Sequence, residues 1–391
     1  MPSPSPRDRS REAIYDALVE RPGLTRAEIG HVVDLPPSTV RQAVARLLGD
    51  GRVEESEHEF KGRGSGSGRP ATRLVIADVG AVVGGIDFGH AHVHVALART
   101  AGDVIADRRV VIHEDSPASA FISCAADLLE TLMREHGIDG VIGVAAGVPG
   151  PVDRNAETMD SPTTLPGWRG VAPRRELQER LHVPVWVEND AAMGALGELD
   201  DGAGRDHPCY IYVKASHGVG AGLVLERRLY GGLDGTAGEI GHTVVPGHHE
   251  LCRCGNRGCL ETFVSVSALR RQLNLTHPSL TFESIADLPD DPVIDRLMTE
   301  AGYELGVSIA SFCNLLNPSA IILGGDLGSS GTAFIDGVRM SVRRHAQAAT
   351  AASIQIVPAA LGARSGLIGA VRVASVQALK NDRRVPDRMA Q

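Results

Sequence analysis

Chemistry in this sequence is concentrated between Gly238 and Glu261, which reads Gly-Glu-Ile-Gly-His-Thr-Val-Val-Pro-Gly-His-His-Glu-Leu-Cys-Arg-Cys-Gly-Asn-Arg-Gly-Cys-Leu-Glu. Three of the six cysteines, Cys252, Cys254 and Cys259, fall here, and His242 precedes them. Thiolates with one imidazole are the soft and borderline ligands that zinc prefers, and four protein ligands leave no position open for a substrate. The expectation is a closed, structural zinc site at His242, Cys252, Cys254 and Cys259. Gly255 and Gly258 allow so short a loop to turn back on one ion, because glycine accepts backbone angles that other residues resist. Core thiols or a redox pair are the alternatives; the crowding of three thiols beside an imidazole favours the metal.

Fixing such a metal also fixes two carboxylates, since Glu239 and Glu261 flank the ligands. An imidazole has two nitrogens, so His242 can bind zinc through one and offer the other to a cleft. The pattern Gly-Glu-x-Gly-His followed by Cys-x-Cys-Gly-x-x-Gly-Cys-x-Glu resembles the signature of the ROK family, whose name joins repressors, uncharacterised open reading frames and sugar kinases.

A second group, Glu188-Asn189-Asp190-Ala191-Ala192, stands at the end of an apolar run and the start of a helix, where side chains project into a cleft. Taken alone, Asn-Asp at a helix start reads as a cap. The resemblance implies more: Asn189 and Asp190 match the pair that holds the sugar in the family's kinases, and Asp190 matches the base toward the hydroxyl being phosphorylated. With Glu239, His242 and Glu261 they complete the implied sugar-binding set. Carboxylates and amides together can pair the many donors of a polyhydroxylated ligand.

The phosphate-binding turns depart from the family. A kinase would show Asp-x-Gly-Gly-Thr, where this chain has Asp87-Phe88-Gly89-His90-Ala91; the second turn, usually Gly-Thr-Gly, reads Ser216-His217-Gly218. Both turns gain an imidazole and lose a threonine hydroxyl, so close backbone approach to phosphate is blocked. Gly324, Gly325 and Gly366 survive, and glycines there can serve the turns alone. The expectation is that no ATP binds, that nothing is phosphorylated and that Asp190 is a vestigial base. An ionised Asp190 would also repel a sugar phosphate, unless an arginine such as Arg169 or Arg364 compensates.

These residues need a frame to hold them. With 391 residues, 43% hydrophobic and 4% aromatic, the chain is long enough for two or three cores. The remaining cysteines, Cys124, Cys209 and Cys313, are scattered, which is no disulfide framework and suits a reducing, cytoplasmic setting. No stretch has the length and apolarity of a membrane helix, and no export signal is legible. From Val82 onward, apolar runs divided by glycines alternate with helical patterns, which implies an α/β core. This part resembles the two-lobed fold of actin, hexokinase and the ROK family, a ribonuclease H-like architecture with the ligand between the lobes.

The N-terminal part differs. Arg11–Glu20, Arg26–Val33 and Ser38–Leu48 read as three short helices. Thr25 and Glu28 form a capping box, and Val40, Val44 and Leu47 form the inward stripe of the third helix. Ser38, Thr39, Arg41, Gln42 and Arg46 are left outside, matching the second element of a helix-turn-helix, with Arg and Gln suited to guanine and adenine edges. A solvated helix in a dimerisation module is the alternative. Arg52-Val53 and Arg73–Ile76 read as strands flanking a glycine-rich tip that carries Lys61, Arg63 and Arg69, which looks like a winged-helix hairpin reaching phosphates or a narrow minor groove. A flexible Gly/Ser linker would need no cations. The net charge of −9 excludes a chain that coats nucleic acid throughout but not a basic patch.

The sequence therefore predicts a winged helix-turn-helix domain (α+β) over 1–78 and a two-lobed α/β actin/hexokinase-like domain with a zinc loop over 79–391. Its expected partners are a palindromic double-stranded operator and a sugar or sugar-phosphate effector, in a homodimer or homotetramer away from any membrane. The resemblance implies a sugar-responsive repressor of carbohydrate uptake or metabolism genes; the alternatives are a sugar kinase with an appended DNA-binding module, or a DNA-binding protein that has lost its ligand.

Overall fold

The structure, a computed structural model, describes residues 5–56, 72–78, 80–282 and 285–381. Helix α1 (Pro6–Glu20) starts a turn or more before the expected Arg11. Ser5 accepts the Asp8 amide on its hydroxyl and Pro6 occupies the first helical position, where a missing N–H costs nothing. At α2 (Arg26–Val33) both arms of the capping box form: the Glu28 amide donates to the Thr25 hydroxyl at 3.3 Å, and the Thr25 amide to Glu28 at 2.8 Å. Asp34, left-handed with φ 50, ends α2 and turns the chain into α3 (Pro37–Gly49).

Three short strands, β1 (Leu24–Thr25), β2 (Val53–Ser56) and β3 (Arg73–Ile76), pair antiparallel in the order β1-β3-β2. Ile14, Leu18, Ile29, Val44, Leu47 and Leu74 are buried together, leaving Ser38, Arg41, Gln42 and Arg46 exposed and Thr39 half-buried. The expected wing cations Lys61, Arg63 and Arg69 lie outside the described residues. Arg73, the first residue of β3, donates to the Gly23 carbonyl at 2.6 Å.

The remainder is two lobes. The first contains β4 (Val82–Phe88), β5 (His92–Arg99), β6 (Val104–Val111), α4 (Ala118–Glu135), β7 (Val144–Val148), α5 (Pro173–Leu181) and β8 (Val185–Asn189). Its sheet order is β6-β5-β4-β7-β8, with the β4–β5–β6 pairs antiparallel and the β4–β7–β8 pairs parallel. Helix α6 (Asp190–Glu198) leads into the second lobe. There β9 (Tyr210–Ala215), β10 (Val219–Leu225), β11 (Arg228–Tyr230), α7 (Val266–Thr276), α8 (Pro292–Leu316), β12 (Ala320–Gly324), α9 (Gly325–Gly328), α10 (Thr332–His345), α11 (Ala348–Ser353) and β13 (Gln355–Pro358) build a sheet in the order β11-β10-β9-β12-β13. Again the hairpin strands pair antiparallel, whereas β9, β12 and β13 are parallel.

Helix α12 (Ser365–Asn381) crosses back over α6. The crossing is close because Gly369 and Gly197 leave out side chains: a Cβ on Gly369 would collide with the Met193 carbonyl, and one on Gly197 with that of Ser365. Leu367, Ala370, Val371 and Ala374 pack against the first sheet, whereas Leu379 is buried in the N-terminal core with Val376 beside it. The expected boundary at residue 78 is thus spanned by α12. Glu198, fully buried, ties the end of α6 to the start of α12 by accepting from the amides of Ala203, Ala360 and Leu361 and from the Ser365 hydroxyl; a buried carboxylate is tolerated only with such pairing. Among the described residues no helix is long and apolar enough to cross a membrane.

Candidate functional site

The loop carrying the thiols closes through two isolated antiparallel bridges, Val244 with Cys259 and Leu251 with Arg257. Gly258, at φ 72, is required there because a Cβ would strike the His248 carbonyl. Cys252 and Cys259 are buried, Cys254 is half-buried, and all are free thiols. Cys252 Sγ lies 3.5 Å from His242 Nδ1, and Cys254 Sγ lies 3.6 Å from Cys259 Sγ. A tetrahedral zinc, ~2.3 Å from sulfur and ~2.0 Å from nitrogen, places neighbouring ligand atoms about 3.5–3.8 Å apart; these two pairs are near that spacing and all four groups lie within 4.8 Å of one another, so they could hold a metal ion. Burial and the adjoining thiols push Cys259 up to about 12, so a cation entering here displaces protons.

The second nitrogen of His242 does face the cleft: Nε2 is 3.7 Å from Glu239 Oε2. Burial, with the negative charges of Asp190 and Glu261, raises Glu239 to about 7. Glu261 accepts the Val219 amide at 3.3 Å and pairs with Arg253 at 3.2 Å. Gly218 leaves room for it, since a Cβ there would stand 2.9 Å from its carboxylate. Asp190, Glu239, His242 and Glu261 therefore converge from the start of α6 and the thiol loop. Asn189 plays a different part. Its side-chain oxygen accepts the Ala191 and Ala192 amides and its nitrogen donates to the Gly150 carbonyl, so it caps α6, with one amide hydrogen unpartnered among the described residues.

Asp190 is not an isolated anion, because Lys214 Nζ lies 2.8 Å from Oδ2. Burial disfavours the Lys214 ammonium, but Asp190 and Asp87 more than offset that and hold it charged. Neither arginine considered from sequence performs this role: Arg169 donates to the Pro162 carbonyl at 2.7 Å and Arg364 pairs with Asp107 at 2.9 Å. Lys214 offsets the expected repulsion of a sugar phosphate. Its signal in the sequence was a lone cation inside the apolar strand Tyr210–Ala215. Asp87 sits on the same floor: burial would raise it, yet Lys214 and His92 keep it below the usual carboxylate range. Its Oδ1 has no partner among the described residues, and Gly366 makes space for it, a Cβ there falling 2.7 Å away.

The two altered turns meet. His90, between β4 and β5, and His217, between β9 and β10, stack with ring centroids 4.1 Å apart. His90 Nε2 is 2.9 Å from Glu114, and burial beside His90 lowers His217 to about 4.

From this cleft two elements reach the N-terminal domain. Helix α12 begins at Ser365 and Gly366 beside Asp87 and carries in its last turn Lys380, whose ammonium is 2.6 Å from Glu20 Oε1. Strand β10 begins at Val219, beside Glu261, and the turn that follows it accepts the Arg21 guanidinium on the Glu226 carbonyl at 2.8 Å. Arg228 pairs with Glu20 at 3.2 Å, and Arg372 donates to the Glu20 carbonyl. Glu20, the last residue of α1, is thus held by both elements.

A two-lobed sheet architecture with a Cys₃His loop at the cleft and a helix-turn-helix in front defines a class, and comparison with known proteins agrees. Residues 83–377 match the ROK family, and residues 7–54 match a winged helix-turn-helix DNA-binding model. The chain belongs to the ROK family. It is 28% identical over 369 residues to the xylose repressor of Bacillus subtilis, covering 92% of this chain and 93% of that one. To the glucokinase of Halalkalibacterium halodurans it is 29% identical over 305 residues, covering 73% and 92%. The crystal structure of a ROK family transcriptional regulator, a homologue of the E. coli MLC protein, has the same fold, with a TM-score of 0.74 and 24% identity over 96% of this chain and 98% of that one.

Proposed function

We propose that this protein is a sugar-responsive transcriptional repressor of carbohydrate uptake or metabolism genes. The observation that carries the reading is continuity: α12 and the β10–β11 hairpin each run from the carboxylate cleft to Glu20 of the helix-turn-helix. Xylose is what the name of the Bacillus subtilis relative points to; a hexose or amino sugar is what the matched kinase residues point to. Asp190, Glu239, His242 and Glu261, with the remaining amide hydrogen of Asn189, bind the hydroxyls. Lys214, 2.8 Å from Asp190 Oδ2, orients that carboxylate beside them. The loop cluster His242, Cys252, Cys254 and Cys259 holds a structural zinc, which would supply rigidity to Glu239 and Glu261 rather than a reactive position. Stacked imidazoles fill the space between the phosphate turns, so the domain binds no ATP and transfers no phosphate.

On the DNA side, Arg41 and Gln42 read base edges, with Ser38, Thr39 and Arg46 on the same exposed face. Lys61, Arg63 and Arg69 contribute phosphate contacts from the wing. A homodimer or homotetramer on a palindromic operator follows from two-fold symmetry. Sugar binding releases DNA to the extent that it prefers one lobe spacing over another.

The test is operator binding titrated with xylose, hexoses and amino sugars, each free and 6- or 5-phosphorylated. Release by at least one sugar is expected; indifference to all of them removes the repressor's sensor function. Alanine at Lys61, Arg63 and Arg69 together should lower the slope of log affinity against log salt, and an unchanged slope would place the wing in solvent.

A further inference from the structure

The stacked histidines belong to a larger group. His90 and Glu114 come from the first lobe, His217 and Asp326 from the second. One nitrogen or oxygen atom from each of His90, Glu114 and His217 lies within 4.8 Å of the others, and His217 Nδ1 is 4.0 Å from Asp326 Oδ2. We propose that His90, Glu114 and His217 bind a divalent transition-metal ion between the two lobes, with Asp326 positioned to enter as a fourth ligand.

Ligand chemistry selects the ion. Two imidazoles and a carboxylate suit zinc, cobalt or nickel, whereas magnesium and calcium favour an all-oxygen shell. Metal bonds of ~2.0–2.2 Å require donor atoms about 3.3–3.6 Å apart; His90 and Glu114 are already closer than that at 2.9 Å, and no pair within the 4.8 Å group needs to close by more than roughly 1.5 Å. The two rings are within 20° of parallel, and one must turn so that both nitrogens face the same point. Rotation about the bond joining an imidazole to its Cβ has a broad, soft profile, and both side chains are about a quarter exposed, at 27% and 26%, which leaves space for it. Asp326 is held in place because its amide donates to the Ser216 hydroxyl at 3.0 Å. The site shares no residue with the thiol cluster and does not depend on the sugar assignment. Because its ligands come from opposite lobes, an ion here binds one lobe spacing and stabilises it by mass action.

The experiment counts metal in the full-length protein. Wild type, His90→Asn, His217→Asn, Glu114→Gln and the neighbouring exposed histidine variant His113→Ala are equilibrated with zinc in a chelator-buffered series, desalted and measured by elemental mass spectrometry. The site is read as the difference between wild type and the histidine variants, so it is scored whether or not the cysteines are loaded. Wild type and His113→Ala should each hold one equivalent more than His90→Asn and His217→Asn, and Glu114→Gln should weaken that equivalent by about tenfold or more. Equal counts in wild type and both histidine variants overturn the proposal. Circular dichroism confirms folding, and if one histidine variant does not fold the other carries the comparison. With cobalt, the additional equivalent should show ligand-field bands without sulfur charge transfer; thiolate charge transfer growing with that equivalent would assign it to the cysteines and overturn the site.

Discussion

The two lobes share one plan and differ in one insertion. Both sheets place an antiparallel hairpin at one side and parallel strands at the other, and in both the turn after the first strand carries a histidine, His90 in one and His217 in the other. The difference lies after the hairpin. The first lobe passes from β6 into α4 directly, whereas the second inserts the thiol loop and α7 between β11 and α8. A repeated frame therefore builds the cleft, while the unrepeated loop brings Glu239, His242 and Glu261 to one wall of it. The first lobe needs no metal to position Asp190, because the Asn189 side-chain oxygen caps α6 by accepting the Ala191 and Ala192 amides. The second has no such element at Glu239, which sits in a short turn.

That contrast can be broken most forcefully at the thiols. Cys254→Ser is expected to release the metal and loosen the second lobe's wall, since structural zinc contributes roughly 10–16 kcal/mol in zinc-finger peptides. Elemental analysis should show the loss, and limited proteolysis should cut near the loop but not in the first lobe. Sugar response unchanged in a metal-free protein would show that the loop needs no ion. Acidification should have the same direction of effect: thiols must lose protons to bind, so metal affinity falls as pH falls.

A smaller and more selective effect is expected from Glu239→Ala, which removes a cleft carboxylate while leaving the ligand residues in place. Operator affinity should be retained and its response to sugar lost; equal loss of both in mobility-shift titration would mean that the substitution damages the fold. The paired turns are tested by turnover. Wild type should phosphorylate no hexose with ATP, and rates of ~1–100 per second would show that two imidazoles do not close the phosphate site.

The smallest expected effect is at the junction below both lobes. Lys380→Ala removes a partly exposed ion pair with Glu20, and such pairs contribute within about 1 kcal/mol, so the melting temperature should scarcely change. The ratio of operator affinities with and without sugar should fall instead. Burial raises the Glu20 carboxyl, but Lys380 and Arg228 more than reverse that and hold it below its ordinary value. Its contribution is therefore present above the unfolded pKa, ~4.3, and is lost as pH drops through the lower folded value. An effector ratio unaltered in Lys380→Ala would move the coupling to the β10–β11 hairpin.

Much of this was legible because the signals are local. The capping box of α2 and the inward stripe of α3 depend on residues close in sequence and form as read, and the Cys₃His residues, also close in sequence, come together as a group that could hold a metal ion. Element boundaries shifted by a few residues, since the first helix, read from Arg11, starts at Pro6. What the sequence did not disclose depends on long-range approach. Lys214 meets Asp190 from another strand, Glu198 meets amides far along the chain, and α12 returns to complete the N-terminal core. The histidines of the two turns were visible as obstacles; that they face each other required the lobes to be folded together.

The return of α12 has a consequence for synthesis. At ~1.5 Å per residue, its 17 residues span about 25 Å, from the cleft to the buried Leu379 that fills one side of the helix-turn-helix core. A chain emerging from the ribosome folds its earlier domains first, yet here the DNA-binding domain, translated first, lacks part of its interior until α12 has followed. Leu379 arrives only after both lobes have been made. The interior of the helix-turn-helix is therefore completed by a residue made late, so its full core packing depends on translation through α12.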